Sequence, residues 1–191
     1  VLVGSYDLQG IAGYLFNQMV IGGGWAGDIE GAGFRGEFTL FAPFGDDGRK
    51  TQFVGAIDVD YTFPNTLYLH ASYMFNSLGL DTKTGDYTNF FIGTGTNISA
   101  QTLSPAMHNI FFEGTYSLSP IVRVGFATWF NPSDYSLFLG PSVNWSIAQN
   151  FEVLFNVQGF VGKDMTLFGN YGSFYYLRFK YSFQRTTSFS V

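Results

Sequence analysis

The sequence contains no cysteine and few charged residues. Without thiols, disulfide bonds and thiolate-bound metal ions are both excluded. Aspartate, glutamate, lysine and arginine make up only 12% of the 191 residues, and the formal net charge is -5. Nucleic-acid binding needs a basic surface, so we do not expect a nucleic-acid partner.

Long apolar runs are also missing. No stretch of about 18 consecutive apolar residues occurs, so no membrane-spanning helix is expected. Strong helix formers are sparse in the periodic segments, whereas aromatic residues reach 20% of the chain and glycines number 24. We therefore predict one all-β domain over residues 1–191, without an interdomain linker.

Apolar and polar side chains alternate along about ten segments of the chain. Successive side chains of a strand point to opposite faces, so alternation gives the sheet one apolar and one polar face. Near the carboxyl end, the apolar positions are Phe155, Val157, Leu177, Phe179, Tyr181 and Phe183. The charged residues at the polar positions are Arg35, Glu37, Asp58, Asp60, His70, Glu113, Arg123, Glu152, Arg178 and Lys180.

This pattern favours an antiparallel transmembrane β-barrel over a soluble β-sandwich, because nearly every segment carries several large apolar residues on one face. Short connections, such as Pro64–Asn65, alternate with longer ones, such as 77–107, as they do in outer-membrane barrels. We place aromatic residues near strand ends in an interfacial girdle: Tyr61, Phe63, Tyr68, Tyr116, Trp129, Phe130, Tyr135, Trp145 and Tyr181. Only segments 7–16 and 19–26 are too rich in glycine for a face to be assigned.

The polar face is predicted to line the lumen, and the six apolar residues above to face lipid. Charges inside a barrel persist when they are paired or wetted, so the ten charged residues either form an ion-pair network or line a water-filled pore.

The best candidate for catalysis is the group Asp58, Asp60 and His70. A turn at Pro64–Asn65 would set position 58 opposite about 71 and position 60 opposite about 69. We favour an ion-pair cluster, and predict no enzymatic activity, no cofactor and no metal site. The Asp81–Asp86 segment lacks the regular ligand spacing of a calcium loop and is predicted to be a surface loop.

Four short motifs resemble the carboxy-terminal half of a poorly characterised family of porin-like bacterial outer-membrane β-barrel proteins. They are Gly31-Ala-Gly-Phe-Arg-Gly-Glu37, Asp60-Tyr-Thr-Phe63, Tyr73-Met-Phe-Asn-Ser-Leu-Gly79 and Asn131-Pro-Ser-Asp-Tyr-Ser136. The resemblance covers residues 7–183 and implies further strands before Val1, as part of a larger barrel. It brings no established substrate or catalytic residues.

The segment Tyr175–Phe183 resembles the final-strand signal that the barrel-assembly machinery reads, so the last strand is predicted to end at 183, with 184–191 as a tail. The expected function is passive diffusion of small hydrophilic solutes through a porin-like channel in a Gram-negative outer membrane. The alternatives are a closed structural or surface-interaction barrel with partner-binding external loops, and an outer-membrane barrel enzyme. Membrane lipid and lipopolysaccharide are the expected partners, with the assembly machinery during biogenesis; the oligomeric state is left open.

Overall fold

A computed structural model describes residues 2–45, 48–83, 87 and 100–183 of the chain. They form one antiparallel sheet of eleven strands, in which each strand pairs with the next along the chain. The strands are β1 Leu2–Val3, β2 Tyr6–Leu15, β3 Gln18–Ile29, β4 Ala32–Pro43, β5 Gln52–Thr62, β6 Tyr68–Asn76, β7 His108–Ser119, β8 Val122–Asn131, β9 Ser136–Ala148, β10 Phe151–Val161 and β11 Ser173–Tyr181. A short 3-10 turn covers Ala100–Thr102.

The prediction of an all-β antiparallel chain is confirmed, and the ten predicted segments correspond to β2–β11. The additional strand, β1, has two residues and returns on β2 through a turn at Gly4, whose φ is +64°. In the described residues the sheet is open, with β1 and β11 at its two edges. The predicted tail at 184–191 lies outside the described residues.

The two ends of the sheet differ in their connections. One end carries the short turns, including Glu30–Gly31, and we call it the short-turn end. The opposite end, the long-loop end, carries the connections 44–51, 77–107 and 162–172. At Glu30 and Gly31 the φ values are +52° and +85°, as a two-residue hairpin turn that matches the twist of its strands requires.

A second two-residue turn with positive φ at both positions, Phe16–Asn17, lies at the long-loop end. It is the short connection that the alternation of loop lengths did not predict. The side-chain amide of Asn17 donates to the carbonyl oxygen of Phe44 at 3.0 Å, so the turn is bound to the end of the neighbouring hairpin.

Glycines in β3 and β4 let aromatic rings lie against the backbone. A Cβ at Gly36 would collide with the ring of Trp25, its partner across the strands. A Cβ at Gly23 would lie 3.1 Å from the ring of Phe38, which is also its cross-strand partner. Gly36, and Gly23 in a segment where glycine hid the alternation, are therefore packing positions on the sheet.

Strand pairing assigns the faces that the sequence left open in β2 and β3. Directly paired residues share a face. Asp7 pairs with Ala26, which pairs with Arg35, so Asp7 joins the charged side of the sheet. Leu8 pairs with Trp25 and lies on the apolar side.

No helix in the described ranges has the length and apolar character needed to cross a membrane.

Candidate functional site

All ten charged residues predicted to share a face do so in the structure. On β4–β7, Arg35 pairs with Asp58, and Asp60 pairs with His70, which pairs with Glu113. Glu37 is two positions from Arg35 on the same strand and therefore shares its face. The face that carries these charges is called the charged face below, and the opposite one the apolar face.

The same face continues across β8–β11. A row of directly paired residues runs from Ser72 of β6 through Phe111, Trp129 and Phe138 to Phe160 of β10. Arg123, Arg178, Glu152 and Lys180 share the face of this row, because each lies an even number of positions from it or pairs with a residue that does.

The charges on β4–β6 form ion pairs. The guanidinium of Arg35 pairs with the carboxylate of Asp60, and His70 Nε2 lies 3.2 Å from Asp58 Oδ1. The His70 and Asp58 side chains are 18% and 28% exposed, so this cluster is half-buried rather than fully solvated. Within the described residues, no three histidine or acidic side chains are grouped as metal ligands would be.

The predicted pairing of this hairpin was wrong by one position. Asp58 lies opposite Ser72 and Asp60 opposite His70. The reason is the turn: the Phe63 amide bonds the carbonyl oxygen of Leu67 at 2.8 Å, which makes the connection an odd-numbered loop centred on one residue. Thr66 in this loop has a φ of +69°. His70 contacts Asp58 and lies directly across from Asp60 on the neighbouring strand, but the Asp60 carboxylate is paired with Arg35.

The basic residues of the charged face lie on β8 and β11. Lys180 is directly across from Glu152, with 3.7 Å between Nζ and Oε2. Arg123 and Arg178 have no carboxylate within 4.0 Å in the part of the chain that is described. Asn144 of β9 pairs directly with Arg123, and Leu154 of β10 pairs with Arg178.

A polar network covers the charged face at the long-loop end. Asn76, the last residue of β6, is fully buried. Its side chain accepts from Gln52 Nε2 at 2.8 Å and donates to the carbonyl oxygen of Ser104 at 3.0 Å. Gln52 also donates to the carbonyl oxygen of Gln101 at 2.9 Å. The carboxyl end of the long loop is thus hydrogen-bonded onto the sheet.

The return of the loop is fixed by close backbone contacts. Leu80 forms an isolated bridge with Ala106, and the Asn76 amide bonds the Met107 carbonyl at 2.9 Å. A Cβ at Gly79 would collide with the backbone at Ala106 and Met107, so a glycine is required for this approach.

An aromatic cluster completes the cover. Tyr87, Ala106, Leu167 and Phe168 are buried together. Against them pack partly buried apolar residues, of which three are ring-bearing residues on the charged face: Trp129, Phe138 and Phe160. We call the described loop residues 77–83, 87 and 100–107, together with Thr166–Phe168, the loop cover.

Asp134 joins the second loop to the sheet. Its Oδ1 accepts from the amide and hydroxyl of Ser136 at 2.8 and 2.6 Å, and its Oδ2 accepts from the amide of Leu167 at 2.7 Å. Ser136 is fully buried and also accepts from the amide of Phe168 at 3.3 Å. The loop between β10 and β11 is therefore held over the same end of the charged face.

Tyr87 has the clearest electrostatic perturbation in the loop cover. Burial, followed by the negative charge of Asp134, raises the pKa of the Tyr87 hydroxyl to about 12. The hydroxyl therefore stays protonated over the whole physiological range. The neighbouring residues 84–86 of the predicted Asp81–Asp86 surface loop lie outside the described residues.

The apolar face carries the residues predicted to contact lipid. On β9, Val143, Trp145 and Ile147 are exposed, while the alternate residues Asn144 and Ser146 are half-buried. The same face carries four further exposed residues, Phe155, Leu177, Phe179 and Tyr181. Val157 is half-buried there. Phe183 lies beyond β11, with its ring against that of Tyr181.

Two aromatic residues of the predicted girdle are on the opposite face. Trp129 lies on the charged face and donates from Nε1 to Asn109 Oδ1 at 3.0 Å. Tyr68 lies on the charged face because it is two positions from His70 on β6. Position near a strand end did not distinguish the faces, whereas strand pairing does.

Sequence reasoning missed the residues that hold the loop cover. Asn76 and Asn131 end their strands, and both are fully buried. The available signal was an asparagine as the last residue of a strand, on the charged face and followed by a loop. Their partners come from segments distant in sequence, which no local pattern shows.

Searches of protein-family models, curated proteins and solved structures found nothing that matches this chain.

Proposed function

We propose that the chain forms an antiparallel transmembrane β-barrel in a bacterial outer membrane and that it conducts small hydrophilic solutes by passive diffusion. The observation that carries the proposal is the division of the sheet into a charged face and an exposed apolar face across ten strands. Soluble monomers rarely expose contiguous apolar patches above a few hundred Å². A lipid environment on the apolar face accounts for this exposure.

The strand lengths support the membrane assignment. From β2 to β11 the strands have 9 to 13 residues. A tilted strand crosses the hydrocarbon core with about 9 to 11 residues. Membrane lipid and lipopolysaccharide are then the proposed neighbours of the apolar face, and the assembly machinery the proposed partner during biogenesis.

Closure of the barrel follows from the cost of unpaired backbone groups in lipid. Each one costs several kcal/mol, so open sheet edges do not occur in the hydrocarbon region. Because β2 and β11 are the first and last of ten alternating strands, they run in opposite directions. They suit antiparallel closure on each other, or on strands of a larger barrel.

A water-filled interior is supported by the exposure and pairing of the cations on the charged face. Arg35 and Lys180, although ion-paired, are 50% and 56% exposed, and Arg123 and Arg178 have no carboxylate within reach in the described residues. Unpaired charges in a membrane protein persist where water reaches them. The pairing of Asp60 with Arg35 supports a structural role for the Asp58–His70 cluster, and we propose no catalysis there.

The loop cover favours a second candidate, a closed structural or surface-interaction barrel. Its buried network lies across the long-loop end of the charged face, where a pore would open. A barrel that this cover plugs completely would conduct nothing, and its external loops would then serve to bind a partner.

Planar-bilayer recordings of the purified full-length protein separate the two candidates. The pore predicts discrete, voltage-stable conductance steps in potassium chloride, because ions cross the wetted face. Protein that inserts, as judged by protease protection in vesicles, yet shows no steps would contradict the pore and support the closed barrel. Protein that remains monodisperse without detergent would contradict both.

A further inference from the structure

Charge is unevenly divided along the sheet. Strands β2–β7 carry six carboxylates and one guanidinium, whereas β8–β11 carry three cations and one carboxylate. The carboxylates of the first group are Asp7, Asp28, Glu37, Asp58, Asp60 and Glu113, and its guanidinium is that of Arg35. The cations of the second are Arg123, Arg178 and Lys180, and its carboxylate is Glu152. One arc of the charged face is therefore acidic and the other basic.

A polar cavity of about 200 Å³ lies at the short-turn end of the basic arc, beside Arg123. Besides Arg123, its polar lining consists of Ser117 and Ser119 from β7 and Asn144 and Ser146 from β9. Ser117 and Asn144 are the direct cross-strand partners of Arg123 on either side. The strands thus bring hydroxyl and amide donors to both flanks of one guanidinium.

A β-bulge shapes this cavity. The pairing of β7 with β8 shifts between Ser117 and Ser119, so that Ser119 lies opposite Val122. The hydroxyl oxygen of Ser119 accepts from the amides of Ile121 and Val122 at 3.4 and 3.1 Å, which orients it, and among the described residues its proton has no acceptor. Bulges often re-aim a side chain next to a binding site.

The guanidinium of Arg123 has no ion-pair partner among the described residues. Arg35 and Lys180 each have a carboxylate partner, but Arg123 has none within 4.0 Å in the described part of the chain. A guanidinium presents several N–H donors in a planar fork that matches the two oxygens of a carboxylate or phosphate. The cavity that Arg123 lines has no carboxylate among its lining residues to repel an anion.

We infer that the cavity at Arg123 is a binding site for small oxyanions, bound by the guanidinium and the flanking serine and asparagine side chains. The inference deepens the proposed function, on which it rests for transport: the basic arc gives solutes that bear a carboxylate or phosphate a path along one side of the pore. Binding itself does not depend on conduction. Arg178, on the same row two strands beyond Asn144, extends the basic path.

Calorimetric titration of the detergent-folded full-length chain with inorganic phosphate at low ionic strength tests the site. Arg123→Gln is expected to weaken phosphate binding about tenfold, the loss typical of one charge-assisted contact. Arg123→Lys keeps the charge but loses the fork, and is expected to bind more weakly than wild type and more tightly than Arg123→Gln. Arg35→Gln is the matched control, since its guanidinium is paired with Asp60, and should bind as wild type does.

The outcomes separate the site from the pore. Equal phosphate binding by wild type, Arg123→Gln and Arg35→Gln, or no binding by any of them, would overturn the site whether or not the protein conducts. Binding that only the Arg123 variants lose supports it, even if bilayer recordings show no conductance and the pore fails. If the protein conducts, Arg123→Gln should shift the reversal potential in a potassium chloride gradient in the cation-selective direction.

Discussion

The side-chain amide of Asn131 donates to the hydroxyl oxygen of Tyr87, with 3.1 Å between Nδ2 and Oη. Asn131 ends β8 and Tyr87 belongs to the long loop, and the two are 0% and 6% exposed. The contact therefore binds the loop to the rim of the sheet in a place that water does not reach. It is one of a set of buried polar contacts, with those of Asn76 and Asp134, that hold the loop cover.

Tyr87→Phe should loosen the loop cover, because it leaves the buried Asn131 amide without its acceptor. An unsatisfied buried group costs about 1–3 kcal/mol. The expected result is faster proteolysis of the loop in folded protein and, if the protein conducts, a larger or noisier conductance. Tyr61→Phe, on the apolar face, is the control and should leave both unchanged. Unaltered proteolysis of Tyr87→Phe would mean that the contact does not hold the loop.

High pH should remove the stability that comes from burying the neutral Tyr87 hydroxyl. The ordinary tyrosine pKa is 10.0, and burial raises that of Tyr87 to about 12. Because the folded state holds the proton more tightly, the stability from this residue is fully present below pH 10 and is lost as the pH rises through about 12. The tyrosinate absorbance of wild type minus that of Tyr87→Phe should titrate with a midpoint near 12. A midpoint near 10 would show that the hydroxyl is not buried in solution.

Asn76→Ala should destabilise the loop cover more than the same substitution at an exposed asparagine does. Its fully buried side chain bonds Gln52 and the carbonyl oxygen of Ser104, so the substitution leaves several groups unsatisfied. We expect a loss of about 1–3 kcal/mol in urea unfolding from lipid vesicles. Asn156→Ala is the matched control: its side chain makes one long bond, 3.4 Å, to Pro141, and the change should have little effect.

Arginine should be tolerated on one face of β10 and not on the other. Phe155→Arg introduces a charge at the middle of the apolar face, and in a barrel this costs about 2–4 kcal/mol at the bilayer midplane. Asn156→Arg, the next residue, lies on the charged face and should unfold like wild type. Urea unfolding in vesicles measures both variants. Equal stability of the two would contradict a lipid-facing apolar side.

Paired cysteines can test closure of the sheet, since the chain has no native cysteine. Ala12 of β2 and Leu177 of β11 lie on the apolar face, near the middle of the two outer strands of the ten. Ala12→Cys is combined in turn with Tyr175→Cys, Leu177→Cys or Phe179→Cys. If β2 closes on β11, the pair that lies in register should form a disulfide bond within one chain. Cysteine at Ile11, on the other face, is the control and should not cross-link.

Cross-linked dimers in place of the intrachain bond would contradict closure of β2 on β11 and would show that strands of a second copy complete the sheet. If no pair of cysteines gives either the intrachain bond or the dimer, the two edges are apart in the folded protein, as they are in the open sheet.

Alternation along the strands predicted the sheet because side-chain direction is a local property of extended backbone. Leu177 and Arg178 point to opposite sides whatever their neighbours are. The same logic failed in β3, where Gly22 to Gly24 carry no side chains from which a face could be read. There the assignment came from pairing with β4, whose faces are marked by Arg35 and Phe38.

Pairing across a turn was predictable only to within one position. The Pro64–Asn65 signal gave a turn, but whether a turn has an odd or even number of residues depends on backbone conformations such as that of Thr66. One position decides whether Val59 or Asp60 lies directly opposite His70.

The sequence by itself determined that the chain is an antiparallel β-sheet with its charges on one side and its aromatic and aliphatic residues on the other, because two-residue periodicity is written along each strand. Only the tertiary structure decided that the loops between β6 and β7 and between β10 and β11 fold over the charged face, and that Arg123 is left without a carboxylate within reach in the described residues. These depend on contacts between residues far apart in the chain, where the choice among many competing polar and aromatic partners is made by packing in three dimensions.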